Sequence, residues 1–242
     1  TAAFSEAMDV FTPLAEISGD YVALDRELSA QDRFAEAATY AREKNSYSFL
    51  VWQNGAILHE TYFEPFTADT RANSASMHKS VLALVIGAAL DEGFIASVDD
   101  PAGTYIPEWA DTPRGEITLK NLLQMASGLA PLSAAGGMTS PAALFVSEGE
   151  KARETVLGLQ LIKAPGSEFH YANAVSQVLG LIVERATGQS YESYLQSRIW
   201  SKLDADSAYV WLNEADGFPR TYSSLMARPE DWLRLGLLIK DG

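Results

Sequence analysis

Residues 74–93, SASMHKSVLALVIGAALDEG, contain the pattern that decides the fold. The stretch opens with polar residues and continues as a run that would present apolar side chains on almost every face of a helix. Such a run predicts a helix from Met77 to Asp91 that is buried in the protein. Gly93 is a suitable residue to end it, because glycine readily adopts the left-handed conformation found after helices. We therefore expect a buried central helix.

The head of this helix carries a Ser-x-x-Lys pair, Ser76 and Lys79. Residues three apart share one face of a helix, so the Lys79 amine can reach the Ser76 hydroxyl. The helix N-terminus favours developing negative charge, and partial removal from water favours a neutral lysine, which is a base able to take a serine proton. The same pair also fits an ordinary capping serine beside a lysine that points to water.

The composition of the 242-residue chain excludes several classes of protein. Hydrophobic residues make up 47%, enough to bury a core, so we expect one large domain or two intimate subdomains. The net charge of −14 repels phosphate and anionic lipid, so we expect no nucleic-acid partner and no membrane partner. With no cysteine and three histidines, thiol nucleophiles are excluded and a zinc site would need unusual ligands. The longest apolar run, Val81 to Leu90, is too short to span a bilayer.

Strand signals lie before the central helix. Tyr47 to Gln53 and Ala56 to Phe63 are rich in aromatic and β-branched residues, and Asn54-Gly55 between them is a strong hairpin signal. Strands at the start, helices in the middle and a few strands returning predict an α/β (α+β) fold, an antiparallel sheet flanked by helices plus a mostly helical subdomain. The other predicted elements are helices at Gln31–Lys44, Thr118–Gln124, Ala174–Ala186, Tyr191–Leu203 and Pro229–Lys240, and a strand at Tyr209–Leu212.

A second group of candidate residues is Tyr171-Ala172-Asn173, which follows a Pro-Gly-Ser loop and precedes a helix. A tyrosine there could accept or donate a proton if a neighbouring cation favours its ionised form. The Asn173 amide could orient the lysine or hold a substrate carbonyl. The alternative is an ordinary turn in which Asn173 caps the following helix.

Two other catalytic arrangements are not favoured. A Gly-x-Ser-x-Gly elbow does not occur, which weakens an α/β-hydrolase interpretation. His59-Glu60 begins like the zinc motif H-E-x-x-H, but the fifth residue is Phe63 and the segment is predicted as a strand. We therefore interpret His59 as a strand histidine.

Taken together and in this order, these residues resemble the serine β-lactamase and penicillin-binding-protein superfamily. Ser-x-x-Lys at the head of a buried helix is its first motif, and Tyr-x-Asn is the second-motif form of class C β-lactamases and related esterases. The stretches NGAILHETYF, ITLKNLLQMASGL and YANAVSQVLGLIVERATGQSYESYLQSRIW are similar to this group in type and order. Among its branches the chain most resembles the class C-like hydrolases: family VIII carboxylesterases, D-aminopeptidase-like enzymes and 6-aminohexanoate-dimer hydrolases.

The resemblance implies a role for each candidate residue. Ser76 would be the acylated nucleophile and its backbone N–H half of the oxyanion hole, with Lys79 as base or proton relay. Tyr171 would shuttle protons to the leaving group and the deacylating water, and Asn173 would align Lys79 and the substrate. The implied reaction is acyl transfer on a small ester or amide, with no metal and no organic cofactor.

One feature of the family is absent from the sequence. Its third motif, a Lys/His-Thr/Ser-Gly-like triplet on a later strand that supplies the second oxyanion-hole N–H, has no match here. We therefore expect 1–242 to be one incomplete catalytic module, with an α/β part at about 1–98 and 205–242 and a helical part at about 99–204. The missing strands could be carried by a second polypeptide.

Three functions stay open at this stage. The first is a serine hydrolase, the second a penicillin-interactive or regulatory domain with little turnover, and the third an inactive fragment. The substrate is not readable, although the glycine-containing loop Ala134–Thr139 is a candidate pocket wall and the negative surface mildly disfavours polyanions. The compartment is also open, with a weak preference for the periplasm or secretion.

Overall fold

The computed structural model describes residues 13–28, 33–132, 149–212 and 217–241. Short 3₁₀ turns connect several of the regular elements. The helices are α1 (Ala35–Glu43), α2 (His78–Asp91), α3 (Leu119–Leu123), α4 (Gly149–Leu157), α5 (Asn173–Thr187), α6 (Tyr191–Arg198) and α7 (Pro229–Asp241). The strands are β1 (Leu14–Ile17), β2 (Ser48–Gln53), β3 (Ala56–Tyr62), β4 (Ala72–Asn73), β5 (Ala208–Trp211) and β6 (Leu225–Ala227).

The described strands form two antiparallel sheets. The larger has four strands in the order β1-β5-β6-β4, and the smaller is the hairpin of β2 and β3. Asn54 and Gly55 join the hairpin with positive φ angles of 52° and 100°, as a two-residue turn between twisted strands requires. The predicted fold class, antiparallel strands flanked by helices, is confirmed.

Helix α2 is central to the core, but one of its faces differs from the prediction. Val81, Leu82 and Val85 are buried in the main apolar cluster. By contrast, a stripe of small residues, Ala83 and Gly87, is exposed. The sequence predicts a buried helix with apolar residues on almost every face, and this stripe is the face that is exposed. Ala83 and Gly87 carry little apolar surface, so exposing them to water costs little.

Helix α5 is the most completely enclosed helix in the described residues. Every residue from 174 to 183 is buried, and the helix packs against α2 and α3. It ends at Gly188, which has a left-handed φ of 67°, as predicted for this glycine. Because α2 and α5 pack together, residues at their N-terminal ends can share one site.

Two helix ends differ from the sequence predictions by more than two residues. Helix α1 starts at Ala35 rather than Gln31, and residues 29–32 lie outside the described part of the chain. The helix predicted to reach Leu203 ends at Arg198 and gives way to a 3₁₀ turn at Trp200–Lys202. The candidate wall Ala134–Thr139 also lies outside the described residues. Among the described helices, none is long and apolar enough to cross a membrane.

Candidate active site

The Ser76 hydroxyl lies at the junction between β4 and α2. Ser76 is in a 3₁₀ turn, Ala75–Met77, that leads directly into α2 at His78, one residue later than predicted. Ala75 has a left-handed φ of 46°, and its N–H donates to Asn73 Oδ1 at 2.8 Å. This local geometry presents Ser76 to solvent at the head of the helix, where backbone N–H groups and the dipole favour negative charge.

Lys79 is half-buried, and its Nζ donates to three acceptors. The acceptors are Ser76 Oγ at 3.1 Å, Asn173 Oδ1 at 2.9 Å and the Tyr222 carbonyl oxygen at 2.6 Å. This differs from a lysine that points to water. The Asn173 and Tyr222 oxygens can only accept, whereas the Ser76 hydroxyl can either accept from Nζ or donate to it, so these contacts suit proton exchange between Ser76 and Lys79.

The Tyr171 hydroxyl completes a hydrogen-bonded row with Ser76 and Lys79. It donates to Ser76 Oγ at 2.7 Å, and Lys79 Nζ lies 4.9 Å from the centre of the tyrosine ring. Burial alone would raise the pKa of Tyr171. Hydrogen bonding to Lys79 and Ser76 and the positive charge of Lys79 outweigh that effect, so the pKa is lowered from its ordinary value. The ionised form, which would accept the Ser76 hydrogen instead of donating one, is therefore more accessible than in an ordinary tyrosine.

Asn173 takes one of the two roles that the sequence left open. The N-cap of α5 is Ala172, and Asn173 is the first helical residue. Its side-chain oxygen accepts a hydrogen bond from Lys79 at 2.9 Å. The alternative in which Asn173 caps the helix is therefore wrong, while the role of orienting Lys79 agrees with this contact.

The backbone of residues 219–224, which we call the 219–224 segment, forms a further side of the site. Its Tyr222 carbonyl is the nearest of the three acceptors around Lys79. The sequence analysis missed this group, because a backbone carbonyl leaves no mark in a side-chain pattern. The structure thus brings together all four predicted residues and adds an acceptor that no motif contains.

A groove of about 390 Å³ lies beside the stretch that carries Ser76, although Ser76 itself does not line it. It is lined by β2, β4, the end of β6 and the first turn of α7, and it includes Ser74 and Met77. Within the described chain, no strand pairs with the edge of β2 that faces this groove. The stretch around Ser76 therefore meets Tyr171 and Asn173 on one side, and its residues Ser74 and Met77 border this groove.

The alternative zinc motif is not assembled. His59 lies on β3, between the rings of Phe34 and Phe49, and its Nε2 is 2.9 Å from Thr61 Oγ1. Over the described ranges, no group of three or more histidine, aspartate and glutamate side chains is placed to hold a metal ion. His59 is thus a strand histidine, as interpreted from the sequence.

An antiparallel sheet flanked by helices, with Ser-x-x-Lys and Tyr-x-Asn residues meeting at the ends of two packed helices, defines a protein of the β-lactamase and penicillin-binding-protein class. The chain belongs to the beta-lactamase family, whose family model matches residues 30–240. The resemblance stated from the motifs is thereby confirmed.

Among similar proteins are hydrolases of two kinds. A 6-aminohexanoate-dimer hydrolase of Paenarthrobacter ureafaciens is 29% identical over 204 residues, which are 81% of this chain and 52% of that protein. Esterase EstB of Burkholderia gladioli is 33% identical over 137 residues, which are 52% of this chain and 34% of the esterase. The chain therefore spans about half the length, or less, of these relatives.

Solved structures share the fold. A candidate 6-aminohexanoate-dimer hydrolase from Bacillus anthracis superposes with a TM-score of 0.84 at 22% identity, covering 97% of this chain and 67% of that one. A class C beta-lactamase superposes with a TM-score of 0.66 at 16% identity, covering 86% and 66%. The fold is thus that of β-lactamases and their relatives.

Proposed function

We propose that this chain carries the acyl-transfer centre of a serine hydrolase, with Ser76 as the nucleophile that forms an acyl-enzyme. The observation that carries the proposal is the continuous row of hydrogen bonds from Lys79 Nζ to Ser76 Oγ to the Tyr171 hydroxyl. A serine hydroxyl is a weak nucleophile, and a base held within hydrogen-bond distance activates it. The two hydrolase relatives support the same reaction class.

In the acylation step, Tyr171 in its ionised form takes the Ser76 proton while Oγ attacks the carbonyl carbon of the substrate. The Lys79 ammonium stabilises the tyrosinate and holds Oγ in place. Negative charge develops on the carbonyl oxygen, and the backbone N–H of Ser76 at the head of α2 stabilises it. When the tetrahedral intermediate collapses, Tyr171 returns the proton to the departing alcohol or amine.

In the deacylation step, Tyr171 takes a proton from a water molecule, which attacks the acyl carbon. Collapse of the second intermediate breaks the bond to Ser76 Oγ, and the proton returns to Oγ. Asn173 contacts Lys79 throughout and can also hold a substrate carbonyl. The products are a carboxylic acid and an alcohol or amine, and no cofactor is needed for proton balance.

For the substrate class, we propose a small carboxylic ester or an uncharged or cationic amide. The name of the Paenarthrobacter relative points to an aminohexanoate amide, and that of the Burkholderia relative points to an ester. Met77 is exposed next to Ser76 and offers apolar surface to a methylene chain. The net charge of −14 disfavours polyanions.

The test is labelling and turnover of the purified protein, with Ser80→Ala as the matched control for Ser76→Ala. Ser80 is exposed and lies one turn further along α2. A fluorophosphonate probe should label the wild type and Ser80→Ala, but not Ser76→Ala. Hydrolysis of p-nitrophenyl esters, nitrocefin, D-amino-acid amides and the 6-aminohexanoate dimer then identifies the substrate. A label that survives in Ser76→Ala contradicts the proposal, and a burst without turnover favours a penicillin-interactive domain.

We also propose a polypeptide partner segment, which adds a strand to β2 and supplies the second oxyanion-hole donor. Phe63 N–H donates to the Tyr47 carbonyl, and hydrogen-bonded pairs alternate along an antiparallel ladder. Phe49 and Val51 therefore pair with β3, while Ser48 and Leu50 turn their N–H groups toward the groove. An unpaired edge of this kind accepts an extended segment through main-chain hydrogen bonds.

Amide hydrogen exchange tests this proposal at alternate residues of one strand. In the 242-residue chain alone, the amides of Ser48 and Leu50 should exchange at least tenfold faster than those of Phe49 and Val51. Phe49 and Val51 are the internal control, because they lie on the same strand and are exposed equally by fraying of its ends. Equal protection of all four amides in the chain alone would show that this edge is already paired.

A further inference from the structure

His78 lies inside the Ser76–Lys79 motif, but the proposed reaction does not use it. Its neighbours in the motif face the site, whereas the His78 side chain is completely buried. Burying a polar ring is unfavourable unless its nitrogens are hydrogen-bonded. The position of an imidazole beside the lysine therefore needs a reason other than packing.

Both ring nitrogens of His78 have partners, and these partners set its protonation. Nδ1 lies 2.9 Å from the Ser223 carbonyl oxygen, which can only accept, so Nδ1 carries the hydrogen. Nε2 lies 3.0 Å from the Tyr191 hydroxyl. Burial lowers the pKa of His78 to about 4, and the charge of Lys79 acts in the same direction, against hydrogen bonds with the backbone of Ser223 and Arg220. The ring is thus neutral at pH 7, and Nε2 accepts the Tyr191 proton.

The acceptors of His78 and Lys79 are consecutive carbonyls of the 219–224 segment. His78 donates to the Ser223 carbonyl and Lys79 to the Tyr222 carbonyl, at 2.9 and 2.6 Å. Two neighbouring residues of α2 therefore hold two neighbouring peptide groups. The two carbonyls belong to adjacent peptide groups that share the Ser223 Cα atom, so a shift of the Ser223 peptide displaces the backbone that carries the Tyr222 carbonyl.

The 219–224 segment depends on such anchors, because it is neither helix nor strand. An isolated bridge pairs Pro219 with Leu212, and backbone hydrogen bonds join Arg220 and Ser224 to Trp211 at the end of β5. Thr221 Oγ1 donates to the Ser176 carbonyl at 2.9 Å, and Gln177 Nε2 donates to the Pro219 carbonyl at 2.5 Å. Thr221 and Gln177 are completely buried, like His78. Three enclosed side chains thus hold this short stretch of irregular backbone.

We propose that His78 is a positioning residue of the Ser76 centre: it fixes the Ser223 carbonyl, and thereby the Tyr222 carbonyl that aims Lys79 at Ser76. The inference rests on the proposed acyl transfer at Ser76. It assigns His78 no contact with substrate, so the acylation rate depends on His78 whereas the affinity for substrate does not. Misplacement of a reacting group by about 1 Å can cost about 100-fold in rate.

Two substitutions separate the bonds of His78. In His78→Asn, the amide nitrogen replaces Nδ1 and can still donate to the Ser223 carbonyl, while the bond to Tyr191 is lost. In His78→Gln, the amide replaces Nε2 and retains the Tyr191 bond, while the Ser223 bond is lost. Both variants bury a neutral amide, which makes them a matched pair.

The measurement is the rate of Ser76 acylation by a fluorophosphonate probe, with kcat and KM on the substrate that the panel identifies. His78→Asn should stay within about threefold of the wild-type rate. His78→Gln should fall about 10- to 100-fold in acylation rate and kcat, with KM within twofold. Equal rates in the two variants, or a drop confined to KM, would overturn the positioning role. A wild type that is never labelled at Ser76 would instead overturn the proposed function.

A second pair covers the case in which the His78 variants do not fold. Thr221→Val removes the bond to the Ser176 carbonyl and keeps the volume of the side chain, whereas Thr221→Ser keeps the hydroxyl. Thr221→Val should lower kcat about tenfold with KM unchanged, and Thr221→Ser should restore most of the rate. Full activity of Thr221→Val would show that the segment does not need its side-chain anchors, which contradicts the proposal.

Discussion

The two sides of Ser76 are built differently. On one side, which we call the closed wall, the N-terminal ends of α2 and α5 and the 219–224 segment surround Lys79 with acceptors. On the other side, which we call the open wall, β2, β4 and the first turn of α7 border a groove of about 390 Å³. Buried hydrogen bonds fix the first wall, whereas in the second wall one edge of β2 pairs with no strand among the residues that the structure describes.

This difference separates the proton-transfer groups from the groups that would hold the substrate. The closed wall contains Lys79 and Tyr171, the two residues proposed to transfer protons. The open wall holds Met77 and the β2 edge, where the partner segment proposed above would bind. Changes to the closed wall should therefore have large effects, and changes to the open wall small ones.

The largest effect is expected for Tyr171→Phe, with Tyr47→Phe as the same change on the open wall. Removing the Tyr171 hydroxyl takes away the proposed base, so kcat should fall about 100- to 1,000-fold while the fold is kept. Tyr47 stacks on Phe66 and borders the groove, and its substitution should leave kcat within twofold. The measurement is steady-state hydrolysis with melting temperatures of both variants. A fully active Tyr171→Phe would show that another group is the base.

The next effect is on stability at acidic pH. Burial holds the pKa of His78 at about 4 in the folded protein, against 6.5 as its ordinary value. Between these two pH values the unfolded chain therefore binds more protons than the folded protein. The contribution of His78 to the free energy of unfolding is complete above about pH 6.5 and is lost as the pH falls toward 4. Its full size is about 3 kcal/mol. Urea unfolding at several pH values gives the free energy of unfolding as a function of pH. That free energy should depend less steeply on pH in His78→Asn than in the wild type. An unchanged pH dependence would contradict a neutral, buried His78.

Packing within the closed wall gives a third contrast, between two glycines. A Cβ added to Gly180 on α5 would lie 2.6 Å from the Thr221 side chain, whereas one added to Gly87 on α2 would meet nothing within 4 Å. Gly180→Ala should lower the free energy of unfolding by about 1–3 kcal/mol. Gly87→Ala should raise it by about 0.5–1 kcal/mol, because alanine is the better helix former. Denaturant titrations measure both changes, and a neutral Gly180→Ala would mean that the segment can move away freely.

The same contrast explains how much could be predicted from the sequence. Helix α2 was predictable because a long apolar run after polar residues indicates a buried helix, and the Ser76–Lys79 pair because residues three apart share a helix face. Asn173 stayed ambiguous, because an asparagine before a helix suits both a cap and a lysine partner. The Tyr222 carbonyl was not predictable, since any residue provides a carbonyl and only the fold brings it to Lys79. The exposed stripe at Gly87 was missed because small residues are compatible with burial and with exposure.

The smallest effect is expected at the open wall, for Met77→Gln. Met77 is 52% exposed and lines the groove, so a polar side chain of similar length should change the free energy of unfolding by less than about 0.5 kcal/mol. If a partner segment fills the groove, Met77→Gln places a polar amide against the apolar face of that segment. Because a buried amide needs a hydrogen-bond partner, the substitution then weakens binding of the segment. The free energy of unfolding, measured for the chain alone and for the chain with the partner segment, distinguishes an open groove from a filled one. A loss above about 1 kcal/mol in the chain alone would show that Met77 is already covered, and the open wall would then be closed.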